Sequence, residues 1–150
     1  FIHDVKYHGD RSLLGDLPAL LQHSPDFLNH LEDAVLVPVP LHRRRLRERG
    51  YNQSAWIAEA LSACFDIRLK VEQVLVRTRN TRTQTRLSRE ARMANVKNAF
   101  ALKPRTRLDK SRRYVVVDDV FTTGSTLDAC AGVLLEAGLE QVDIAALGHG

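Results

Sequence analysis

Short apolar runs alternate along this chain with segments in which apolar residues recur at helical spacing. The apolar runs cover residues 34–40, 73–76, 99–102, 114–117 and 142–147, and each is typical of a β-strand. Prolines limit two of them, since Pro38 and Pro40 lie in the last part of the first run and Pro104 follows the third. The run at residues 114–117 has no polar alternation, which predicts a strand buried on both faces.

Helix signals fill the intervals between these strands. Ser24, Pro25 and Asp26 have the order of an N-cap, a first-turn proline and a first-turn acid, so a short helix is expected to start there. Asn52 is a candidate N-cap for a second helix, whose predicted buried face carries Trp56, Ile57, Ala60, Leu61, Cys64 and Phe65. A third helix is predicted from a stripe closed by Gly138 and made of Leu127, Cys130, Ala131, Leu134 and Leu135.

Strands that alternate with helices predict an α/β fold, in which helices cover both faces of a doubly wound, mainly parallel sheet. In such sheets, ligands bind outside the carboxyl ends of the strands. We expect a single domain over residues 1–150, because no linker, internal repeat or low-complexity tract divides the chain.

Positive charge is concentrated in three segments of the chain. Of the 22 Lys and Arg residues, 18 fall within residues 42–49, 77–97 and 103–113, which together contain three acids. Solvated loops are often charged, but three such segments together favour an anion site, and phosphate groups are the expected ligands. We expect these basic segments to be loops at the carboxyl ends of the strands.

Composition excludes several classes of protein. A hydrophobic fraction of 44% over 150 residues can fill a core, which excludes a disordered chain and a disulfide scaffold. Cys64 and Cys130 have no second Cys or His at ligand spacing, which excludes a Cys-rich zinc site within these residues. No apolar run approaches the roughly 20 residues of a membrane helix, so we expect a cytoplasmic protein without membrane insertion. Because the first residue is Phe1, we also expect an upstream segment to be missing.

One stretch carries the clearest chemical signal. Asp118 and Asp119 follow the buried strand, and a turn then leads into a helix through Thr122, Thr123, Gly124, Ser125 and Thr126. Small residues let main-chain N–H groups point at an oxyanion, hydroxyls add donors, and the helix N-terminus adds a positive dipole. We therefore interpret the turn as a phosphate site. It is not a Walker loop, because the Gly-Lys-Ser/Thr ending is absent.

The carboxylate pair restricts the kind of phosphate that fits. Adjacent acids repel a polyphosphate unless they contact neutral hydroxyls or a divalent cation, and a sugar phosphate meets both needs. Acid pairs also cap turns without any ligand, which is the structural alternative. The attached Thr-Thr-Gly-Ser-Thr turn favours the functional interpretation.

This stretch resembles the phosphoribosyl pyrophosphate signature of type I phosphoribosyltransferases, in which the acid pair holds the ribose hydroxyls and the turn holds the 5′-phosphate. Two further blocks resemble the competence protein F family. The first comprises residues 37–41, the arginine run and residues 49–53; the second comprises Arg77, Thr81, Gln84, Leu87 and Arg92, followed by residues 95–96 and 99–100. The resemblance covers the chain from about residue 37 to the helix after Thr126.

The resemblance implies, for an enzyme, displacement of pyrophosphate at ribose C1 through a transition state with oxocarbenium character. Mg²⁺ would neutralise the developing charge, held by pyrophosphate oxygens and ribose hydroxyls and by no direct protein ligand. The arginines expected to bind pyrophosphate are Arg43, Arg44, Arg45 and Arg49. The residues expected to act in catalysis are Arg49, Arg79, Asp118 and Asp119, with the second basic loop around residues 79–86 closing over the site.

This chain departs from its relatives in two places. Thr122 stands where purine-salvage enzymes place an acid that exchanges a proton with the base, so purine salvage is disfavoured. Orotate-type enzymes also have a threonine there, so catalysis is not excluded. Members of the competence protein F family usually begin with a cysteine-rich zinc-binding segment, which this sequence lacks.

Several functions fit these features, and the family resemblance implies a role in DNA uptake and natural transformation. The first is a Mg²⁺-dependent phosphoribosyltransferase that uses phosphoribosyl pyrophosphate. The second is a non-catalytic protein that binds single-stranded DNA, although an aromatic content of 6% argues mildly against a stacking surface. In a third, phosphoribosyl sensing regulates binding to DNA or to a protein such as a DNA-uptake helicase. Catalysis and sensing need the same site, so the sequence leaves both open, together with the acceptor and the oligomeric state.

Overall fold

The computed structural model describes residues 11–79, 88, 90–91 and 98–149. Within these residues, a 3₁₀ turn at Arg11–Asp16 precedes the helices α1 (Leu17–Leu21), α2 (Pro25–Leu31), α3 (Arg43–Arg49), α4 (Gln53–Ser62) and α5 (Ser125–Glu136). The strands are β1 (Val35–Pro38), β2 (Lys70–Val71), β3 (Leu75–Arg77), β4 (Phe100–Leu102), β5 (Tyr114–Phe121) and β6 (Val142–His149). None of these helices is long and apolar enough to cross a membrane, within the part of the chain described.

The central sheet has four strands in the order β2-β1-β5-β6, and every pairing in it is parallel. Strands β3 and β4 form a separate antiparallel pair. Because β1 and β5 are the inner strands of the central sheet, their carboxyl ends lie side by side, with Pro38 opposite Val117. This arrangement confirms the predicted α/β class with a doubly wound, mainly parallel sheet.

Both faces of the central sheet are buried. Alternate residues of β5 belong to two separate cores: Tyr114 and Val116 pack with α5, whereas Val115 and Val117 pack with α4. All four of these side chains are at most 1% exposed. The burial on both faces explains why the β5 sequence is continuously apolar instead of alternating.

Most predicted elements are confirmed within a residue or two. Helices α2, α4 and α5 begin after Ser24, Asn52 and Gly124. Strands β1 and β4 lie in the predicted apolar runs, and β6 begins with its run and continues to His149. The run at residues 73–76 contributes only the start of β3, and the two-residue β2 carried no signal of its own. Leu135 was predicted on the buried stripe of α5, but its side chain is 43% exposed.

The first basic segment is a helix, whereas a loop was predicted. Arginine and leucine are good helix formers, and both ends of α3 are capped. His42 Nδ1 accepts a hydrogen bond of 3.2 Å from Arg44 N, and Gly50 ends the helix in the left-handed region at φ 84°. The arginines therefore project from a short rigid element at the carboxyl end of β1.

The third basic segment ends at the amino ends of the sheet strands, whereas the acid pair lies near the carboxyl end of β5. Residues 103–113 lead from β4 into the amino end of β5, so the prediction that all three segments lie at carboxyl ends is wrong here. Arg113 Nη1 donates 3.2 Å to Asp143 Oδ2, and Arg113 Nη2 donates 2.7 Å to Glu32 O. This arginine stabilises the fold and is not part of the candidate site.

The second basic segment falls mostly outside the described residues. Its first part, through Arg79, is described, and Arg79 is exposed. The predicted closure of residues 79–86 over the site concerns residues that, apart from Arg79, lie outside the described chain.

Candidate phosphoribosyl site

The acid pair lies within β5 near its carboxyl end. The prediction placed both acids after the strand, but β5 continues to Phe121, which pairs with His149 of β6. Asp119 is 5% exposed, and its Oδ1 accepts a hydrogen bond of 2.8 Å from Val120 N. Asp118 Oδ1 accepts two hydrogen bonds, one of 2.9 Å from Asp119 N and one of 2.8 Å from Ser54 Oγ on α4.

The environment of Asp118 favours its neutral form. Burial, followed by the negative charge of Asp119, raises the pKa of Asp118 to about 6. The hydrogen bonds from Ser54 and from the Asp119 main chain act in the opposite direction. At neutral pH most of the Asp118 carboxyl is ionised, and its oxygens are acceptors for hydroxyl donors of a ligand.

The turn after β5 encloses a small cavity of about 40 Å³. Its walls include Asp118 and the whole predicted phosphate turn, namely Thr122, Thr123, Gly124, Ser125 and Thr126. Helix α5 begins at Ser125 and has 12 residues, so the positive end of its dipole faces this cavity. The sequence-predicted phosphate residues are thus brought together next to the acid pair.

Glycine is required in this turn. Gly124 is buried and has φ +79°, a left-handed conformation that side chains rarely adopt. Ser125 N lies 3.3 Å from Thr123 Oγ1, and the Thr123 and Ser125 hydroxyls are 2.7 Å apart. The hydroxyls therefore support the shape of the turn in addition to offering donors.

The four predicted pyrophosphate arginines point in different directions. Arg44 Nε pairs with Glu48 Oε1 at 3.3 Å on the exposed side of α3. Arg43 lines a separate cavity of about 520 Å³, together with Trp56 of α4. Arg49 Nη1 donates 2.7 Å to Gln53 Oε1. The charge of the fourth, Arg45, acts on Arg77, whose pKa the charge of Asp118 also influences.

Arg77 is a candidate site residue that the sequence prediction did not select. Its guanidinium lies 5.2 Å from the Phe100 ring centroid, and burial followed by the charge of Arg45 lowers its pKa. The charge of Asp118 opposes that shift, which places Arg77 within electrostatic reach of both Arg45 and Asp118. An isolated parallel β-bridge pairs the main chain of His42 with that of Arg77 and joins the start of α3 to the end of β3. The signal for Arg77 in the sequence was its place in the second block that resembles the competence protein F family.

Three ring-bearing side chains have structural contacts. His42 caps the first turn of α3. Tyr51 stacks on Trp56, with ring centroids 4.3 Å apart and planes inclined by 11°. Phe121 lies against His149, with centroids 5.8 Å apart.

The protein side chains form no metal cage in the part of the chain described, where no group of three or more His, Cys, Asp or Glu side chains is suited to a metal ion. The donors at the site are instead one carboxylate pair and a turn rich in N–H and hydroxyl groups. Such a set fits a cation that is brought in by a phosphate ligand and completes its coordination with ligand oxygens and water.

Comparison with known proteins identifies relatives of this chain. Competence protein F of Haemophilus influenzae is 38% identical to the chain over 110 residues, which cover 73% of the chain and 48% of that protein. DNA utilization protein YhgH of Escherichia coli K12 is 42% identical over 109 residues, covering 73% and 46%. Competence protein ComFC of Bacillus subtilis is 32% identical over 108 residues, covering 69% and 39%. These are homologues, and the resemblance to the competence protein F family is confirmed.

The chain spans about half the length of the curated relatives it matches. No protein-family model matches it. Among solved structures, the allosteric regulatory enzyme of purine biosynthesis is similar over 91% of this chain and 25% of that one, with 24% identity and a TM-score of 0.48. A hypoxanthine phosphoribosyltransferase from Staphylococcus aureus is similar over 93% of this chain and 62% of that one, with 12% identity and a TM-score of 0.45.

Proposed function

We propose that this chain is a phosphoribosyltransferase-like domain that binds phosphoribosyl pyrophosphate together with Mg²⁺. The observation that carries the proposal is the cavity beside Asp118, which is walled by the turn of residues 122–126 at the start of α5. One arrangement combines acceptors for sugar hydroxyls with donors for a phosphate, which is the combination that a pentose phosphate needs.

The two ends of the ligand would be bound by different elements. The carboxylates of Asp118 and Asp119 accept hydrogen bonds from the ribose hydroxyls, and main-chain N–H groups of the turn donate to the 5′-phosphate. Because the acids lie near the end of β5 and the turn leads directly into α5, their separation is fixed by the strand and the helix.

The pyrophosphate would lie towards Arg45 and Arg77. Both side chains are half-buried, and their mutual repulsion is relieved when an anion binds between them. Mg²⁺ bound to the pyrophosphate supplies further positive charge for the leaving group. Arg44 is directed to Glu48 and Arg43 to the separate cavity, so we assign neither of them a main role in this subsite.

The biological setting is proposed from the relatives. Their names assign them to competence and to DNA utilization, and they match 73% of this chain. We therefore propose that phosphoribosyl pyrophosphate binding serves DNA uptake, either as catalysis or as a signal that controls a partner.

Isothermal titration with phosphoribosyl pyrophosphate and Mg²⁺ tests the binding step. We expect one saturable site in the wild type and a higher melting temperature by mass action, and neither in Asp119→Ala. Asp66→Ala, which changes an exposed acid, is the matched control and should behave as wild type. An unchanged melting temperature at millimolar ligand would overturn the proposal.

Two further arms separate catalysis from its alternatives. Release of pyrophosphate across a panel of bases, absent in Asp119→Ala, identifies an enzyme. Ligand binding without release identifies a sensor. The DNA-binding alternative would be favoured if the chain does not bind the sugar phosphate but binds single-stranded DNA. That binding should weaken steeply with salt and persist in Asp119→Ala.

A further inference from the structure

Two polar side chains are buried where α4 begins. Gln53 is 6% exposed and Ser54 is 1% exposed, although buried faces of such helices normally carry apolar residues. Gln53 accepts from Arg49, while Ser54 Oγ donates a hydrogen bond of 2.8 Å to Asp118 Oδ1 across the interface with β5. Packing alone does not explain why a buried hydroxyl donates its hydrogen bond to a candidate ligand-binding acid.

The position of Ser54 is fixed by its neighbour Asn52. Asn52 Oδ1 accepts a hydrogen bond of 3.0 Å from Ser54 N, and Asn52 Nδ2 donates 3.0 Å to Val39 O. Val39 N in turn donates 2.9 Å to Val117 O, the carbonyl that directly precedes Asp118. The hydroxyl of Ser54 is thus held in a fixed place relative to the carboxyl end of β5.

We infer that Ser54 is a positioning residue, which holds Asp118 Oδ1 so that Oδ2 is presented to the ribose hydroxyls of the ligand. The inference rests on the proposed function. Both described donors to the Asp118 carboxylate, Ser54 Oγ and Asp119 N, reach the same oxygen. Two hydrogen bonds to one oxygen fix the plane of the carboxylate and therefore the direction of its second oxygen. The Asp118 carboxyl also has a side-chain hydrogen bond with Asp119, which favours its protonated form.

The charges around Asp118 determine how loss of the Ser54 hydroxyl changes its pKa. Asp119 on the same strand disfavours the ionised form of Asp118, and Arg77 at the end of β3 favours it. The thiol of Cys130 on α5 also lies within its electrostatic reach, and burial raises the pKa of that thiol, which therefore stays neutral. Because the hydrogen bond from Ser54 lowers the pKa of Asp118, its removal should raise that pKa further above its ordinary value.

Ser54→Ala and Ser62→Ala form a matched pair that tests this inference. Ser62 lies on the same helix, is 2% exposed, and donates to Leu69 O away from the acid pair. We expect Ser54→Ala to raise the pKa of Asp118, measured by carboxyl ¹³C NMR of the ligand-free chain. We also expect it to weaken binding of phosphoribosyl pyrophosphate with Mg²⁺ by about tenfold at pH 6, and less at pH 8, because a hydrogen bond to a charged group is lost. Ser62→Ala should change neither quantity.

The outcomes are distinguishable. If the wild type binds the ligand and Ser54→Ala matches Ser62→Ala in both carboxyl titration and pH profile, the inference is overturned. If the wild type does not bind, the proposed function fails, and the role of Ser54 towards a ligand fails with it, whatever the titration shows. Ser54→Cys keeps the size of the side chain with a weaker donor and should give intermediate values, so it replaces Ser54→Ala if that variant does not fold.

Discussion

A β carbon on Gly124 would lie 2.9 Å from Cε2 of Phe121, closer than such carbons approach other atoms. The ring of Phe121 therefore closes one side of the phosphate turn, and the φ of +79° at Gly124 sets the direction of the chain into α5. Phe121, the last residue of β5, pairs with His149 of β6, and the two rings stack. The turn is consequently shaped by its surroundings before any ligand arrives.

Gly124→Ala should destabilise the chain and remove phosphate binding. Left-handed backbone costs an alanine roughly 1–2 kcal/mol, and displacement of the Phe121 ring adds to this. Gly132→Ala is the control, because it lies within α5 and a β carbon there meets nothing within 4 Å. The control should be more stable than wild type by about 0.5–1 kcal/mol in urea unfolding and should bind the ligand normally. Equal stability of the two variants would contradict this account of the turn.

Asp118→Asn should stabilise the chain while it weakens ligand binding. The pKa of Asp118 is raised to about 6 in the folded chain from its ordinary value of 3.8, so the native state binds more protons than the unfolded state between these pH values. This contribution to the free energy of unfolding is present in full below about pH 4 and is lost as the pH rises towards 6. We expect the variant to be more stable at pH 7 by on the order of 2 kcal/mol, with the advantage shrinking below pH 5.

Unfolding measured across pH 3.5–8 for wild type, Asp118→Asn and the exposed control Asp66→Asn checks the sign. The control should follow the wild-type curve. If Asp118→Asn were less stable than wild type at pH 7, the hydrogen bonds and charges around the ionised carboxylate would outweigh the cost of burying it, which would contradict this prediction.

Arg45→Gln should weaken binding of phosphoribosyl pyrophosphate far more than Arg44→Gln. Arg45 is half-buried and its charge lowers the pKa of Arg77, whereas Arg44 is exposed and paired with Glu48. A charge-assisted hydrogen bond lost at a half-buried site corresponds to about a tenfold loss of affinity, and an exposed pair contributes little. Ribose 5-phosphate, which lacks the pyrophosphate, should bind both variants equally in the same titrations. An equal loss in both variants would argue against a specific role for Arg45.

Arg113→Ala should lower stability and leave ligand binding intact. Arg113 contacts the carbonyls of His30 and Glu32 and the carboxylate of Asp143, all at the amino end of the sheet. Loss of this half-buried cluster should cost about 1–3 kcal/mol in urea unfolding. Arg112→Ala, whose side chain is exposed, should cost less than about 1 kcal/mol. A reduced affinity for the sugar phosphate in Arg113→Ala would place this basic segment back in the ligand site.

The sequence predicted the fold class because each local signal agreed with the doubly wound sheet. The apolar run of β5, the Asn52 cap of α4 and the glycine before α5 all act over a few residues, so pattern alone could locate them. The end of β5 could not be located in this way, since Val120 and Phe121 are in a strand only because β6 pairs with them. Strand β2 is likewise defined by its partner β1 and not by its own two residues.

Only the part of the candidate site that is local in sequence was predicted. The acid pair and its turn are contiguous in sequence, and the structure places Asp118 and the turn around one cavity. Ser54 and Arg77 reach Asp118 from other elements, over distances in sequence at which no spacing rule applies. The direction of each arginine in α3 depends on helix rotation, which a prediction of a loop could not supply.

The structure of the complex with phosphoribosyl pyrophosphate and Mg²⁺ tests the central claim most directly. We predict that a co-crystal places the 5′-phosphate against main-chain N–H groups of residues 123–126, with the ribose hydroxyls on the carboxylates of Asp118 and Asp119. A bound ligand elsewhere on the chain, with water alone in the turn beneath Gly124, would contradict the account.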